Sequence, residues 1–163
     1  MTNNTIFESS TPFSDIYKSF LSKITDDMYM ELTEEDTESL LYDIFLSALP
    51  HFEFPRVDIY SFSDEMGGYD IQLSKEEVNI IATYMVVEWL GQQLASVENT
   101  RMKYSGSDFK FTSQANHMAK LQSLKTNYEQ KGFHLQRLYK RRKADENGIM
   151  RSTFGSIMEV KED

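Results

Sequence analysis

Residues 73–97 read LSKEEVNIIATYMVVEWLGQQLASV and combine a helix start signal with a nearly continuous apolar run. Ser74 and Glu77 have the spacing of a capping box, in which the serine hydroxyl and the glutamate carboxylate each accept a backbone N–H at a helix start. From Val78 onward the segment has little polar surface, and a helix that is apolar on most sides is surrounded by protein. We therefore predict a core helix that ends near residues 98–99.

Two shorter helices are predicted before this core helix. Thr11 followed by Pro12 has the pattern of an N-cap and a first helical residue, and it predicts a helix over residues 12–22. Acidic residues favour the first turn of a helix, and proline cannot continue one. A second helix is therefore expected over residues 34–49, ending before Pro50.

A long helix is predicted near the end of the chain, over residues 114–142, with Thr112 or Ser113 as its N-cap. At 1.5 Å per residue such a helix would be roughly 43 Å long. Gly132 lies inside it and is unfavourable in a helix interior by about 1 kcal/mol relative to Ala. We expect a bend there, or a close approach of another backbone.

Residues 52–73 change from a helical to an alternating apolar pattern, which predicts two short strands around a loop at residues 63–68 (SDEMGG), longer than a tight two-residue turn. The expected fold class is mainly α, a helical bundle built on two long helices with a small β-hairpin and extended terminal arms. Residues 1–10 would form a mobile arm, residues 11–143 one helical domain, and residues 144–163 a docking tail.

Charge is unevenly distributed along the 163 residues, whose net charge is −9. Residues 1–100 contain nineteen acidic and four basic residues, whereas residues 101–143 contain two acidic and eleven basic residues. The two segments either neutralise each other inside one subunit or form unlike surfaces that meet between copies. Charged contacts between copies determine how the copies approach and align more than they add affinity.

The acidic side chains before the core helix form a run without Lys or Arg. A metal site is one interpretation, but the run has no Asx-rich loop with a central Gly, as a calcium loop requires. We interpret it as a solvated acidic face, and the nearby Asp64, Glu65 and Asp70 as hydrated loop acids. The acidic face comprises Asp26, Asp27, Glu31, Glu34, Glu35, Asp36 and Glu38.

The end of the long helix is basic, and the residues after it are rich in large apolar side chains. Basic side chains stabilise a helix C-terminus through its dipole, but they also suit a phosphate or an acidic protein. The apolar residues that follow favour docking on a neighbour over a free tail. The predicted subunit or portal interface comprises Arg137, Lys140, Arg141, Arg142, Lys143, Ile149, Met150, Phe154, Ile157 and Met158.

No catalytic or metal-binding pattern was found. The chain has no cysteine, and His51, His117 and His134 are too scattered for a helical metal site. Phosphate-loop, dinucleotide and nucleophile-elbow motifs are absent from the sequence. We predict neither enzymatic activity nor a cofactor, a secretory signal or a membrane span, and we expect synthesis in the cytoplasm.

Three segments together resemble the neck, or head-to-tail connector, proteins of tailed bacteriophages. They are residues 73–77 (LSKEE), 82–90 (ATYMVVEWL) and 104–117 (YSGSDFKFTSQANH), of which DFKFTSQANH is the most distinctive. The resemblance covers about residues 73–139.

The resemblance implies a non-enzymatic virion protein in a closed ring, usually dodecameric, below the portal. Such a ring extends the DNA channel, binds portal protein and the tail-side neck or tail-terminator protein, and lets DNA pass without specific binding. By analogy, Asp108, Phe109, Lys110 and Ser113 would connect the two long helices. Packing of Trp89 on Leu121 would make those helices a rigid wedge.

Two other classes of function remain open. An acidic adaptor or regulatory protein in the cytoplasm would fold alone and bind a basic partner. An enzyme would need a convergent pocket, which the sequence does not indicate. Formation of a ring in the presence of portal protein separates the connector from both.

Overall fold

The structure is a computed structural model, and it describes residues 11–24, 34–103, 111–144 and 150–152. Four helices make up most of these described residues, which confirms the mainly α class. The two longest contain 29 and 31 residues and pack against each other. The helices are α1 (Phe13–Leu21), α2 (Glu34–Ala48), α3 (Lys75–Lys103) and α4 (Phe111–Arg141), with a 3₁₀ turn at Leu49–His51 after α2.

Helix α3 is the centre of the core, as its apolar sequence predicts. It packs against α1, α2 and most extensively α4, and residues 80–87 are all buried. Its capping box is present: the Ser74 N–H donates to Glu77 Oε2 at 2.7 Å, and the Glu77 N–H donates to Ser74 Oγ at 3.2 Å. The helix continues to Lys103, past its predicted end.

A small antiparallel sheet lies beside the core, with β1 (Thr11–Pro12) and β2 (Phe62–Ser63) pairing on either side of β3 (Gly68–Tyr69). The predicted hairpin is present, but each strand has only two residues and β1 is an unpredicted third strand. Gly68 is required because a Cβ there would lie 2.5 Å from the Thr11 carbonyl oxygen. Gly67 has a φ of 64°, which favours glycine in the turn.

The predicted start of α1 is wrong by one residue. Pro12 occupies the N-cap position, and α1 begins at Phe13 without a side-chain cap. The Thr11 hydroxyl instead accepts the Leu73 N–H at 2.7 Å, because β1 pairs with β3 and brings Thr11 next to the segment that leads into α3. Thr11 therefore joins the start of the chain to the core helix.

Helix α4 differs from its prediction at two positions. It begins at Phe111, so Thr112 and Ser113 lie in its first turn and neither residue precedes it as a cap. It continues through Gly132, where the close neighbour is the ring of Tyr84 and not another backbone. After α4 the chain forms β4 (Arg142–Ala144), which pairs antiparallel with β5 (Met150–Ser152).

Candidate functional site

A buried glutamine fixes the last turns of α4 to the segment after α2. The Gln136 amide nitrogen donates to the His51 carbonyl oxygen at 2.8 Å and to the Tyr84 hydroxyl at 2.7 Å. Its amide oxygen accepts the Glu53 N–H at 2.8 Å. Because these bonds satisfy polar groups in or near the core, they hold α4 in one position relative to residues 51–53.

Tyr139, one turn further along, joins α4 to the start of α3. Its hydroxyl donates to Glu77 Oε1 at 2.5 Å and accepts the Arg56 N–H at 3.0 Å. Burial raises the pKa of Tyr139 above its ordinary value, and the hydrogen bond to Glu77 raises it further. The Arg56 guanidinium stacks 3.9 Å from the Tyr139 ring centre and donates to the carbonyl oxygens of Tyr139 and Arg142.

The outer side of this α4 end forms a groove of about 320 Å³, here called the basic groove. Phe54 and Phe133 each expose 53% of their surface on it. Lys140 Nζ lies 4.2 Å from the Phe54 ring centre, and Arg137 Cζ lies 5.9 Å from the Phe133 ring centre. The groove is lined by Glu53, Phe54, Phe133, Gln136, Arg137 and Lys140.

The predicted basic residues have different surroundings. Arg137 and Lys140 are exposed and line the basic groove. Arg141 is also exposed, whereas Arg142 pairs with Glu76 at 2.5 Å within the same chain. Lys143 lies in β4, where its backbone pairs with that of Arg151, and Met150 lies in β5, where its backbone pairs with that of Ala144.

A second cavity, of about 500 Å³, lies between α1, α2 and the β2–β3 turn. Its walls contain three aromatic rings and three carboxylates, and it is here called the acidic cavity. The Tyr42 hydroxyl donates to Asp64 Oδ1 at 2.5 Å, which ties α2 to the turn. The aromatic and acidic lining consists of Phe13, Tyr17, Tyr42, Glu35, Glu38 and Asp64.

The acidic cavity keeps its tyrosines protonated. The hydrogen bond to Asp64 and burial raise the pKa of Tyr42 to about 12. Burial also raises the pKa of Tyr17, with further contributions from the negative charges of Glu38 and Asp64. The cavity therefore presents carboxylates and neutral aromatic rings, which together suit a cationic or cation-flanked aromatic group.

Only some of the described residues of the predicted acidic face line this cavity. Glu34, Glu35, Asp36 and Glu38 are all exposed on α2, and Glu35 and Glu38 line the cavity. Asp64 joins them from the β2–β3 turn, although its sequence position suggested only a hydrated loop acid. The sequence does not indicate that these carboxylates lie together, because Asp64 comes 26 positions after Glu38.

The sequence predictions did not include the aromatic residues of the basic groove or of the acidic cavity. Phe133 lies off the apolar stripe that predicts the buried side of α4, and this offset is the one available signal. The sequence gives no such signal for Phe54 and Tyr42. Aromatic residues close to them in the chain are buried, and the pattern does not distinguish the two kinds.

Several predicted site residues lie outside the described residues, and so do the predicted arm at residues 1–10 and most of the tail. Trp89 and Leu121 are described, and both are partly buried against the core cluster. The predicted residues outside are Asp26, Asp27, Glu31, Asp108, Phe109, Lys110, Ile149, Phe154, Ile157 and Met158.

The histidines lie apart from one another. His51 stacks on Tyr84 with ring centres 5.1 Å apart, and its Nε2 lies 2.7 Å from Glu88 Oε1. His117 and His134 are exposed on α4. The part of the chain that the structure describes contains no group of three or more metal-ligating side chains. None of its helices combines the length and apolar content needed to cross a membrane.

Comparison with known proteins found no matching protein-family model, curated protein or solved structure. The function of the chain is therefore inferred from its residues and from the two surfaces described above.

Proposed function

We propose that this chain is a structural virion protein of the phage neck. In this role, identical copies form a ring below the portal, and the ring extends the DNA channel and joins head to tail. The resemblance of residues 73–139 to connector proteins is the first support for this role. The second is the presence of two oppositely charged surfaces on one helical framework.

The two surfaces are the observation that carries the proposal. The basic groove and the acidic cavity are different patches, so a contact between them is head-to-tail rather than two-fold symmetric. Repeated head-to-tail contacts close into a ring when the rotation between neighbours permits. The α3–α4 pair suits such a subunit because Gln136 and Tyr139 fix its geometry.

Imaging of phage heads tests the neck assignment. Heads that carry portal protein are compared with and without the purified chain, and we expect additional ring density beneath the portal only when the chain is present. A chain lacking residues 144–163 is the matched variant. It should remain folded, because the buried core cluster formed by the described residues lies between Phe13 and Tyr139, but it should no longer join the heads. A bare portal in the presence of the full chain contradicts the proposal.

The acidic cavity also supports the alternative, an adaptor that binds a basic partner. Its carboxylates and its two partly exposed tyrosine rings suit a Lys or Arg side chain. Sedimentation in the presence of portal protein separates the two functions, since an adaptor stays monomeric where a neck protein forms a ring.

A further inference from the structure

The basic groove has the composition of a binding surface. Two phenylalanine rings remain more than half exposed, and each has a cation placed near it. Exposed apolar patches with a polar rim mark interaction sites, and aromatic and arginine side chains contribute most of the affinity at many interfaces. Neither Arg137 nor Lys140 forms an ion pair with another described residue.

The groove is also held in place before any partner binds. Gln136 on its floor makes three hydrogen bonds, to Tyr84, His51 and Glu53. The residues on both sides of the groove are thus fixed relative to each other. A surface that is ordered in the free protein loses less conformational entropy on binding.

We propose that the basic groove of one copy binds the acidic cavity of the next copy. This inference rests on the proposed ring, for which it names the two halves of the subunit contact. Phe133 and Phe54 pack against the rings of Tyr17 and Tyr42, while Arg137 and Lys140 meet Glu35 and Glu38. Both surfaces combine aromatic rings with charged groups. The rings contribute apolar contact, and the complementary charges fix how the two copies align.

Site-specific crosslinking tests the contact directly, because the chain has no cysteine of its own. One preparation carries Ser39→Cys at the cavity and the other carries Glu53→Cys at the groove. Mixed copies are treated with a short bismaleimide, both as purified protein and on portal-bearing heads. We expect a crosslinked pair containing one chain of each kind, and no such product when Ser123→Cys, an exposed position on α4, replaces Glu53→Cys.

Charge reversal supplies the second measurement. Arg137→Glu/Lys140→Glu in the groove copy, or Glu35→Lys/Glu38→Lys in the cavity copy, should each lower the crosslinking yield by at least about tenfold. Combining the two reversed copies should restore it, because the charges are again opposite.

The possible results separate this contact from the neck function. Ring density on heads with no crosslink above the Ser123→Cys control overturns the contact and leaves the neck function standing. A specific, charge-dependent crosslink with a bare portal supports the contact and contradicts the neck function. Absence of the crosslink in both settings, or failure of the reversed pair to restore it, also overturns the contact.

Discussion

Gly132 is buried in α4 because the ring of Tyr84 occupies the space where a side chain would lie. A Cβ at this position would be 2.7 Å from Tyr84 Cζ and 3.0 Å from both Cε1 and the hydroxyl oxygen. The ring is not free to move away, since it stacks on His51 and its hydroxyl accepts a hydrogen bond from Gln136. The position therefore tolerates only glycine without rearrangement.

Gly132→Ala should lower the free energy of unfolding by about 1–3 kcal/mol, the usual cost of overpacking a core. This net loss is expected although Ala is more favourable than Gly in a helix interior by about 1 kcal/mol. Gly91→Ala is the matched control, because a Cβ there would meet only Lys125 Cε at 3.6 Å. Urea unfolding measures both variants, and an equal or greater stability of Gly132→Ala than of Gly91→Ala would contradict this packing.

At the level of elements, Glu77 fixes the start of α3 and also the end of α4. One carboxylate oxygen accepts the Ser74 N–H and the other accepts the Tyr139 hydroxyl. The side chain is buried, so both oxygens need these partners. The two long helices therefore depend on the same carboxylate.

Glu77→Ala should lower the free energy of unfolding by about 2–4 kcal/mol, since it leaves the Tyr139 hydroxyl unpaired and removes half of the cap. Ser74→Ala removes only the other half of the cap and should cost about 1 kcal/mol. Glu76→Ala is the control: within the described part of the chain the Glu76 carboxylate forms one largely exposed ion pair, with Arg142, worth at most about 1 kcal/mol. Chemical denaturation should rank the three variants in that order, and a Glu77→Ala cost no larger than that of Glu76→Ala would disprove the shared role.

Local sequence patterns predicted the elements better than their contacts. The capping box of Ser74 and Glu77 was predictable because its partners are three residues apart, whereas the bond from Tyr139 to Glu77 spans 62 residues. Thr11 has a good N-cap side chain, but pairing of β1 with β3 directs it to Leu73. Arg137, Lys140, Glu35 and Glu38 were likewise predicted as surface charges, whereas the positions of Asp64 and of the aromatic residues depend on tertiary packing.

Over the whole molecule, hydrogen bonds among the described residues fasten α4 at two separated places, in addition to its packing along α3. Its middle contacts the turn that follows α1, where the Tyr128 hydroxyl donates to the Lys23 carbonyl oxygen at 3.2 Å. Its end contacts residues 51–56 and the start of α3 through Gln136 and Tyr139. Two separated attachments prevent α4 from pivoting on α3, and a subunit of the proposed ring would need this rigidity.

Stability of the whole protein should decrease above about pH 10. Burial raises the pKa values of Tyr69 and Tyr139 from 10.0 in the folded state. Above pH 10 the unfolded chain therefore releases protons that the folded chain retains, so alkali favours unfolding. Each such tyrosine lowers the free energy of unfolding by up to about 1.4 kcal/mol per pH unit.

Urea unfolding between pH 8 and about pH 11 measures this slope. Tyr139→Phe should be less stable at pH 8, because it loses the bond to Glu77, but should show a shallower decline in alkali. Leu41→Val, a core variant that changes no titratable group, should keep the slope of the unmodified chain. Equal slopes for Tyr139→Phe and the unmodified chain would show that Tyr139 does not titrate as described.

Trp89 is the only tryptophan in the sequence, and it lies in α3 against the core cluster. Its Nε1 is shielded from solvent and has no hydrogen-bond partner within the described residues. The chain also contains nine tyrosines, which emit as well, but excitation at wavelengths that tyrosine does not absorb selects this one indole. Emission excited in that way therefore reports on the surroundings of Trp89 in the central helix, without any added label.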